Sequence, residues 1–392
     1  RHPTKDDLDA VSTEHPIYLI HVSAHLGAAN SLGLSLAGIN SKTPNPPGGK
    51  IRRYKNSTEP NGVFEETAAY PVQQLAMSAY KDPIGSVKKA MDIYAMHGIT
   101  TAQDGASSPE TIALMKAADL QGMINLDIIS YPIGQNGLDE NINSINFGKY
   151  EGRVKIGGIK LILDGSPQGK TAYLTEPYYK PPHSESESYK GYPLIPQSEV
   201  SKWVKKYAEL NIPIMAHANG DAAADMLIKA VNDAEITSDH RTIMIHAQTV
   251  REDQLDQMEE LKIIPSYFST HTFYWGDWHR DSVFGEERAM RISPTKSTLN
   301  RKMPFTVHND APVVPPDMIR LLWSTTNRET RSGKVLGEEQ KISTYAALEA
   351  MTINAAYQHF EDDIKGSIQV GKLADLVVLS EDPLSLAVDD LL

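Results

Sequence analysis

The stretch VKIGGIKLILDG (154–165) carries the pattern from which the fold of this sequence can be worked out. It is short and apolar and it ends on Asp-Gly, which is typical of a buried β-strand that stops at a turn. Alternate residues of a strand point to opposite faces, so Lys160, Ile162 and Asp164 share one face and Ile159, Leu161 and Leu163 share the other. The wholly apolar face must pack against helices, and we therefore predict that Lys160 points inward.

Similar segments recur from about residue 86, each after a stretch with helical periodicity. Val200, Trp203, Val204 and Tyr207, for example, fall on one face of a helix. Alternating helices and strands predict a parallel sheet with helical crossovers. Seven strands are predicted, within GITTAQDG (98–105), MINLDIISYPIG (123–134), VKIGGIKLILDG (154–165), IPIMAHANG (212–220), RTIMIHAQTV (241–250), IIPSYFSTHTFYW (263–275) and PFTVHNDAPV (304–313).

Seven parallel strands are one fewer than a closed α/β barrel of the TIM type, the (β/α)₈ barrel, requires. We expect such a barrel over residues 86–360, with its first strand preceding residue 1. Residues 1–85 would then be a segment inserted after that strand, capping the active face. The run GSIQVGKLADLVVLSEDP (366–383) predicts short strands, so residues 361–392 would be part of a small C-terminal β-sandwich.

The composition of the 392 residues excludes several classes of protein. With 40% hydrophobic and 22% charged residues, the chain can bury a large core. The absence of cysteine excludes a disulfide scaffold, a Cys-ligated metal and a Cys nucleophile, and it fits a cytoplasmic location. A net charge of −12 argues against a general nucleic-acid binder. No apolar run approaches the ~18–20 residues that span a bilayer, so we expect no membrane partner.

Polar residues collect at the carboxyl ends of the predicted strands, which form the active face of a parallel barrel. Alternation predicts one inward polar side chain on each of four strands: Lys160, His217, His246 and Asp310. Their neighbours in the strands, Ile243 and Ile245 among them, are expected to face the helices. Imidazoles and a carboxylate suit Zn²⁺, and also Mn²⁺ or Fe²⁺. A lysine fits among them if its amine is carbamylated into a bridging carboxylate.

Plainer interpretations of the same residues stay open. A single histidine at a strand end is more often a hydrogen-bonded core residue than a ligand, although two on consecutive strands favour a metal site. Lys160 and Asp164 could form only an ion pair, or Asp164 could orient Lys160 or its carbamate. His308 is two residues from Asp310, so it is expected to point inward as well, and it could hydrogen-bond to the metal ligands.

Four further residues are candidates for contact with a substrate. His271, Trp275 and His279 follow the strand that begins at Ile263, the seventh strand of the expected barrel, on the active face, where an aromatic ring and two imidazoles could line a pocket. Alternatively, Trp275 packs in the core and His279 caps a helix. His25 lies in the N-terminal segment and could donate a hydrogen bond to the substrate, or be a histidine of a surface loop.

Several stretches resemble the amidohydrolase superfamily, in the branch of N-substituted formamide deformylase-like metal-dependent hydrolases. They include HGITTAQDGA, IKLILDGSPQGKTAYLTEPY, AHANGDAA, FSTHTFYWGDWHRD, VHNDAPVVPPD and KGSIQVGKLADLVVLSEDP. The resemblance covers nearly the whole chain. It implies a (β/α)₈ barrel with a small β-sandwich built from both chain ends.

The resemblance also implies roles for individual residues. Lys160 matches the often carbamylated lysine that bridges two metals, His217 and His246 match two histidine ligands, and Asp310 matches the aspartate that is both ligand and general acid/base. The family's first strand carries a His-x-His pair, and none of the 13 histidines here is two residues from another. We expect that pair upstream of residue 1, or absent.

The leading hypothesis is a metal-dependent hydrolase, with one or two Zn²⁺ ions, that cleaves a C–N bond in a small amide, such as an N-substituted formamide. A second hypothesis keeps the site but changes the bond to an ester, a lactone or a cyclic amide. A third is a non-catalytic, truncated barrel. A homodimer is the default expectation for the assembly.

Overall fold

The structure is a computed structural model that describes residues 2–78, 81–134, 142, 145–182 and 185–392. Its strands are β1 (Tyr18–Ile20), β2 (Leu26–Ala29), β3 (Gly49–Arg53), β4 (Pro60–Glu66), β5 (Thr101–Ser107), β6 (Asp127–Pro132), β7 (Tyr150–Glu151), β8 (Val154–Ile156), β9 (Ile159–Ile162), β10 (Ile214–Ala218), β11 (Ile243–His246), β12 (Ile264–Tyr267) and β13 (Thr306–Val307).

Helices connect these strands along most of the chain. The α-helices are α1 (Lys5–Asp9), α2 (Ser31–Leu36), α3 (Tyr70–Met77), α4 (Pro83–Met96), α5 (Pro109–Leu120), α6 (Gln197–Glu209), α7 (Asp221–Asp233), α8 (Glu252–Glu260), α9 (His271–Trp278), α10 (Glu286–Ala289), α11 (Thr295–Asn300), α12 (Met318–Asn327), α13 (Thr344–Met351) and α14 (Ile353–Gln358). None of the helices in the described ranges is both long and apolar enough to cross a membrane.

The α/β architecture predicted from the sequence is present. Strands β9 to β13 form one parallel sheet in chain order, and β5, β6 and β8 run parallel in a second sheet that β7 extends. A parallel bridge from Ile133 to Lys160 joins the two sheets. All seven segments predicted to hold strands do so. Among the described residues no pairing joins β13 to β5, so a closed barrel is not seen.

Helix α6 shows why the sheet has helices on its outer face. Val200, Val204 and Tyr207 are fully buried along one side of this helix, as their spacing predicted. They lie in one core cluster with Ile159 and Leu161 of β9. Burial of an aliphatic or aromatic side chain contributes roughly 1.5–3 kcal/mol. The apolar face of β9 therefore meets helices, and Lys160 faces the opposite side.

Residues 18–66 contain a separate antiparallel sheet, with strand order β1-β2-β4-β3, which we call the N-terminal sheet. Ionic and polar contacts attach it to the loop that follows β9. Glu185 accepts hydrogen bonds from Lys50 Nζ (2.5 Å) and Arg52 Nη1 (2.7 Å), and Tyr192 Oη donates to Glu65 Oε2 (3.2 Å). The N-terminal sheet therefore lies over the carboxyl end of β9. The division into residues 1–85, 86–360 and 361–392 stays a prediction.

The small sheet expected in residues 361–392 is not formed. This wholly described segment contains no strand, and its only regular element is a 3₁₀ turn at Val388–Leu391. Ile368, Val370 and Val378 are almost fully exposed. Short strands are not stable without neighbouring strands to pair with, and the alternating apolar residues have none in this structure.

At the amino ends of the strands lies a buried polar cluster that joins residues 359–365 to the second sheet. His359 Nδ1 is 3.0 Å from Tyr131 Oη, and its carbonyl accepts a hydrogen bond from Lys155 Nζ (3.0 Å). Lys155 is paired with Glu361, which also pairs with Lys365. Paired charges tolerate burial, so this cluster fixes the last helical turn under the sheet.

Candidate metal centre

Lys160 is buried in the middle of β9, as predicted, and it faces two carboxylates. Its charge interacts with those of Asp310 and Asp104, and burial lowers the pKa of Lys160 to about 8. A lysine with this pKa has a larger fraction of neutral, nucleophilic amine near pH 7 than an exposed one. The ion pair with Asp164 considered above is not formed.

Asp164 instead holds His217. The two side chains are joined by a hydrogen bond from His217 Nδ1 to Asp164 Oδ1 (3.0 Å). Asp164 also accepts bonds from three backbone amides, those of Tyr173 (3.0 Å), Asn219 (3.0 Å) and Gly220 (2.8 Å). Burial raises the pKa of Asp164 to about 7 and holds the pKa of His217 well below its usual value. The other ring nitrogen, Nε2, lies 3.2 Å from Asn219 Nδ2, and a metal bound at Nε2 would replace this contact.

The side chain of His246 also lies beside His217, but strand alternation does not explain its direction. Ile243 and Ile245, expected to face the helices, pack with Met215 on the inner side, whereas Met244 joins the helix-facing core. His246 should then face outward with Met244. Its backbone is left-handed, with φ 72°, and so is that of the next residue, with φ 45°. This turn brings the His246 ring to 4.6 Å from the ring of His217.

His308 lies among the candidate ligands. Donor atoms of His246, His308 and Asp310 all lie within 4.8 Å of one another, and no other set of three in the described residues is close enough to hold an ion. His308 Nε2 is 3.1 Å from His246 Nδ1, and its Nδ1 is 2.9 Å from Ser266 Oγ. Burial lowers the pKa of His308 to about 3, and that of His246 well below its usual value, so both imidazoles are neutral.

The residues expected to line a pocket form an aromatic wall beside this cluster. The His271 ring lies 6.4 Å from that of His246, 5.3 Å from Trp275 and 5.4 Å from His279. His271 and His279 are both buried, and Trp275 is half-buried. Among the described residues, His271 Nδ1 and His279 Nε2 have no hydrogen-bond partner. Contact of this wall with a substrate stays a prediction.

His25 is brought to the site by the N-terminal sheet, with its ring 5.0 Å from that of His217. Its partner is Glu66, which the sequence analysis did not single out. His25 Nδ1 is 2.6 Å from Glu66 Oε2. Burial alone would lower the pKa of His25, but Glu66, with smaller effects from Asp164 and Asp310, raises it above its usual value.

Asp104 is a second residue that the sequence analysis missed. It lies in the middle of β5, hydrogen-bonded by Ser107, and its charge faces Lys160. Burial raises the pKa of Asp104 above its usual value. The position of Asp104 could have been predicted from the sequence, because the segment TTAQDG places an acid at the carboxyl end of a predicted strand. Glu66 gave no such signal, since it belongs to an antiparallel strand outside the barrel pattern.

Known proteins share both the sequence pattern and this fold. A chain 26% identical over 408 residues is the N-substituted formamide deformylase of Arthrobacter pascens; the match covers 100% of this chain and 73% of that one. An uncharacterised metal-dependent hydrolase of Pyrococcus horikoshii superposes with a TM-score of 0.77 at 23% identity, covering 100% of this chain and 76% of that one. One of Pyrococcus furiosus gives 0.73 at 24% identity, covering 98% and 76%.

The family match extends over the whole chain. The sequence model described as "Amidohydrolase family" matches residues 1–392. Both this match and the α/β fold agree with the resemblance read from the motifs, and the polar residues that the resemblance singled out converge at one end of the sheet. The chain therefore belongs to the amidohydrolase family.

Proposed function

We propose that this protein is a metal-dependent hydrolase that cleaves a C–N bond of amide type. One observation carries the proposal: donor atoms of His246, His308 and Asp310 meet within 4.8 Å, beside Lys160 and His217. Two neutral imidazoles and a carboxylate are one of the donor sets that zinc takes in catalytic sites. The relative from Arthrobacter pascens, a formamide deformylase by name, supports the choice of bond.

The residues present fit a divalent metal, and Zn²⁺ is the ion proposed, with Mn²⁺ and Fe²⁺ as alternatives. His246, His308 and Asp310 would hold it, and His217 with Lys160 would complete the site. A bound divalent ion supplies a Lewis acid that polarises a carbonyl and acidifies water. Carbamylation of Lys160 is part of the proposal, because its pKa of about 8 leaves neutral amine to react with carbon dioxide.

The chain's own residues would move the protons. Asp310 accepts a proton from the attacking water while the C–O bond forms, and it returns that proton to the leaving nitrogen as the C–N bond breaks. Asp164 holds His217 in one orientation throughout. The products are a carboxylic acid and an amine, so one water is consumed for each bond cleaved. Burial raises the pKa of Asp310, which favours the step in which it holds the proton.

We also propose that the parallel strands belong to an eight-stranded barrel, one strand of which lies outside residues 1–392. Seven strand segments in chain order support this, because β8 and β9 are two parts of the single segment 154–165. The greater length of the relatives, of which this chain covers about three quarters, supports it too. The further strand is where a His-x-His pair would lie.

Elemental analysis of metal per chain tests the proposal, on this chain and on one extended at its N-terminus. We expect one or two zinc-like ions in the extended protein, lost on Lys160→Ala or His217→Ala. The matched control is His240→Ala, since His240 lies at the other end of β11, bonded to Thr242 and Leu261. A panel of amides and esters then identifies the bond. Metal at background in both proteins would overturn the proposal.

A further inference from the structure

We propose that Glu66 is a positioning residue that fixes the His25 imidazole at the mouth of the candidate metal centre, with Nε2 directed to the substrate's acyl oxygen. The inference deepens the proposed function and rests on it for the identity of the substrate. It assigns the N-terminal sheet a part in the site, because Glu66 is the last residue of β4 and His25 immediately precedes β2.

Two bonds join Glu66 to His25. The side chains meet at 2.6 Å between Nδ1 and Oε2, and the backbone amide of Glu66 donates to the carbonyl of His25 at 2.7 Å. The pairing of β2 with β4 brings them together, since Leu26 is paired with Glu65. A histidine whose backbone carbonyl and ring Nδ1 are both hydrogen-bonded has little freedom to rotate its ring.

This arrangement leaves Nε2 as the nitrogen of His25 that a ligand can reach. The ring lies 5.0 Å from that of His217, and one fifth of the side chain is exposed. No hydrogen bond to His25 Nε2 is found in the part of the chain that the structure describes. Because Nδ1–H donates to Glu66, Nε2 carries a hydrogen only when the ring is an imidazolium, and in that form it can donate to the oxygen of a carbonyl bound at the centre.

The chain keeps Glu66 in this position against steric resistance. Glu66 has a left-handed backbone, with φ 52°, which side chains with a Cβ seldom adopt. Its carboxylate is buried and its Oε1 has no hydrogen-bond partner among the described residues. A Cβ on Gly165, in the loop after β9, would lie 2.1 Å from that oxygen. The carboxylate of Glu66 therefore occupies the space that is left free because Gly165 has no side chain.

Glu65 provides a matched control, because it is equally buried and adjacent in sequence but faces away from His25. Glu65 is paired with Arg52 (2.6 Å) within the N-terminal sheet, and it accepts a hydrogen bond from Tyr192, which attaches the sheet to the loop. An effect seen at Glu66 and also at Glu65 would reflect disruption of the sheet. An effect confined to Glu66 reflects the orientation of His25.

The test is NMR of the protein labelled with ¹⁵N in its histidine rings, which needs neither metal nor substrate. We expect a downfield Nδ1 proton assigned to His25 by its loss in His25→Asn. It should vanish in Glu66→Ala, persist in Glu66→Gln, whose amide oxygen can accept the bond, and persist in Glu65→Ala. A signal missing from the wild type, or unchanged in Glu66→Ala, overturns the proposal.

Kinetics give the consequence for turnover. Glu66→Ala should lower kcat/KM about 100-fold through misorientation of His25, with Glu66→Gln restoring most of it. In a His25→Ala background the same change should have no further effect. Independent, multiplying losses would overturn the positioning role. If the wild type cleaves no amide or ester, the proposed function fails, and the NMR result still decides on Glu66.

Discussion

Asp310 is partly buried, has a left-handed backbone with φ 55° and faces Lys160, and each of these features bears on its proposed proton transfer. Replacement by Asn keeps the shape of the side chain but removes the proton acceptor. We expect Asp310→Asn to lower kcat by about 10²–10⁴-fold, the range found for general acid–base groups, with the fold intact. Steady-state turnover of the substrate found in the amide panel, with a thermal melt on the same sample, measures this.

The control for that change is Asp317→Asn, which removes a charge from the same connection. Asp317 caps α12 by accepting a bond from the Arg320 amide (2.9 Å), and Asn is an equally good N-cap. Its turnover and melting temperature should match the wild type. Near-normal kcat in Asp310→Asn would refute the assignment of Asp310.

At the scale of the element, strand alternation predicted some side-chain directions and not others. It was right for Lys160 and His217, which lie in regular extended backbone, and for Phe305 and Val307 of the last strand, which join the helix-facing core. It was wrong for Ile243 and Ile245. No local rule predicts the left-handed residues that follow them, because tertiary contacts at the strand end fix that conformation.

Pairing partners explain the other differences between sequence and structure. The run at 366–383 has the alternation of a strand, but alternation cannot show whether a neighbouring strand is available. The link between His25 and Glu66 spans 41 residues through an antiparallel register, which one sequence does not reveal. The α/β class of the fold and the cluster of polar residues at the strand ends could therefore be predicted, and residues 1–85 were expected to cap the active face. The closed barrel is not seen in the described part of the chain, and the pairing of His25 with Glu66 could not be predicted.

The loop after β9 contacts the N-terminal sheet, and Gly165 lies at that contact. A Cβ there would lie 2.1 Å from Glu66 Oε1 and 2.2 Å from Thr171 Oγ1. We expect Gly165→Ala to lower the free energy of unfolding by about 1–3 kcal/mol, as overpacking does. Urea unfolding measures the change.

Gly105 serves as the comparison for Gly165. A Cβ at Gly105 would make only ordinary contacts, the nearest at 3.4 Å to the flexible side chain of Gln103. Gly105→Ala should be neutral, or stabilise the protein by about 0.4–1 kcal/mol through the unfolded state. Equal losses of unfolding free energy in the two variants would mean that the close contact with Glu66 is not the reason for a glycine at position 165.

For the whole molecule, acid stability depends on histidines that are buried without charge. Burial, with Lys155 and Lys365 nearby, lowers the pKa of His359 from 6.5 to about 3. Between these values the unfolded chain binds a proton that the folded protein does not. His359 therefore contributes stability that is complete above pH 6.5 and is lost as the pH falls toward 3, at up to about 1.4 kcal/mol per pH unit.

The expected result is a smaller loss of stability in His359→Gln than in the wild type when the pH falls from 7 to 5. Urea unfolding at each pH gives the two slopes. His15→Gln, at an exposed position, should retain the wild-type slope. Parallel slopes for wild type and His359→Gln would show that the cluster with Tyr131 and Lys155 accommodates a charged ring.

The left-handed turn at His246 has a consequence for protein design. Copying the side chains of this centre onto another parallel strand would place the imidazole among the packing helices, since at regular strand angles that position faces outward. A working copy must reproduce the handedness of two successive backbone units, with φ 72° and 45°, and a host that can hold them there. A design that transfers this centre must therefore transfer the backbone conformation as well as the histidine side chain.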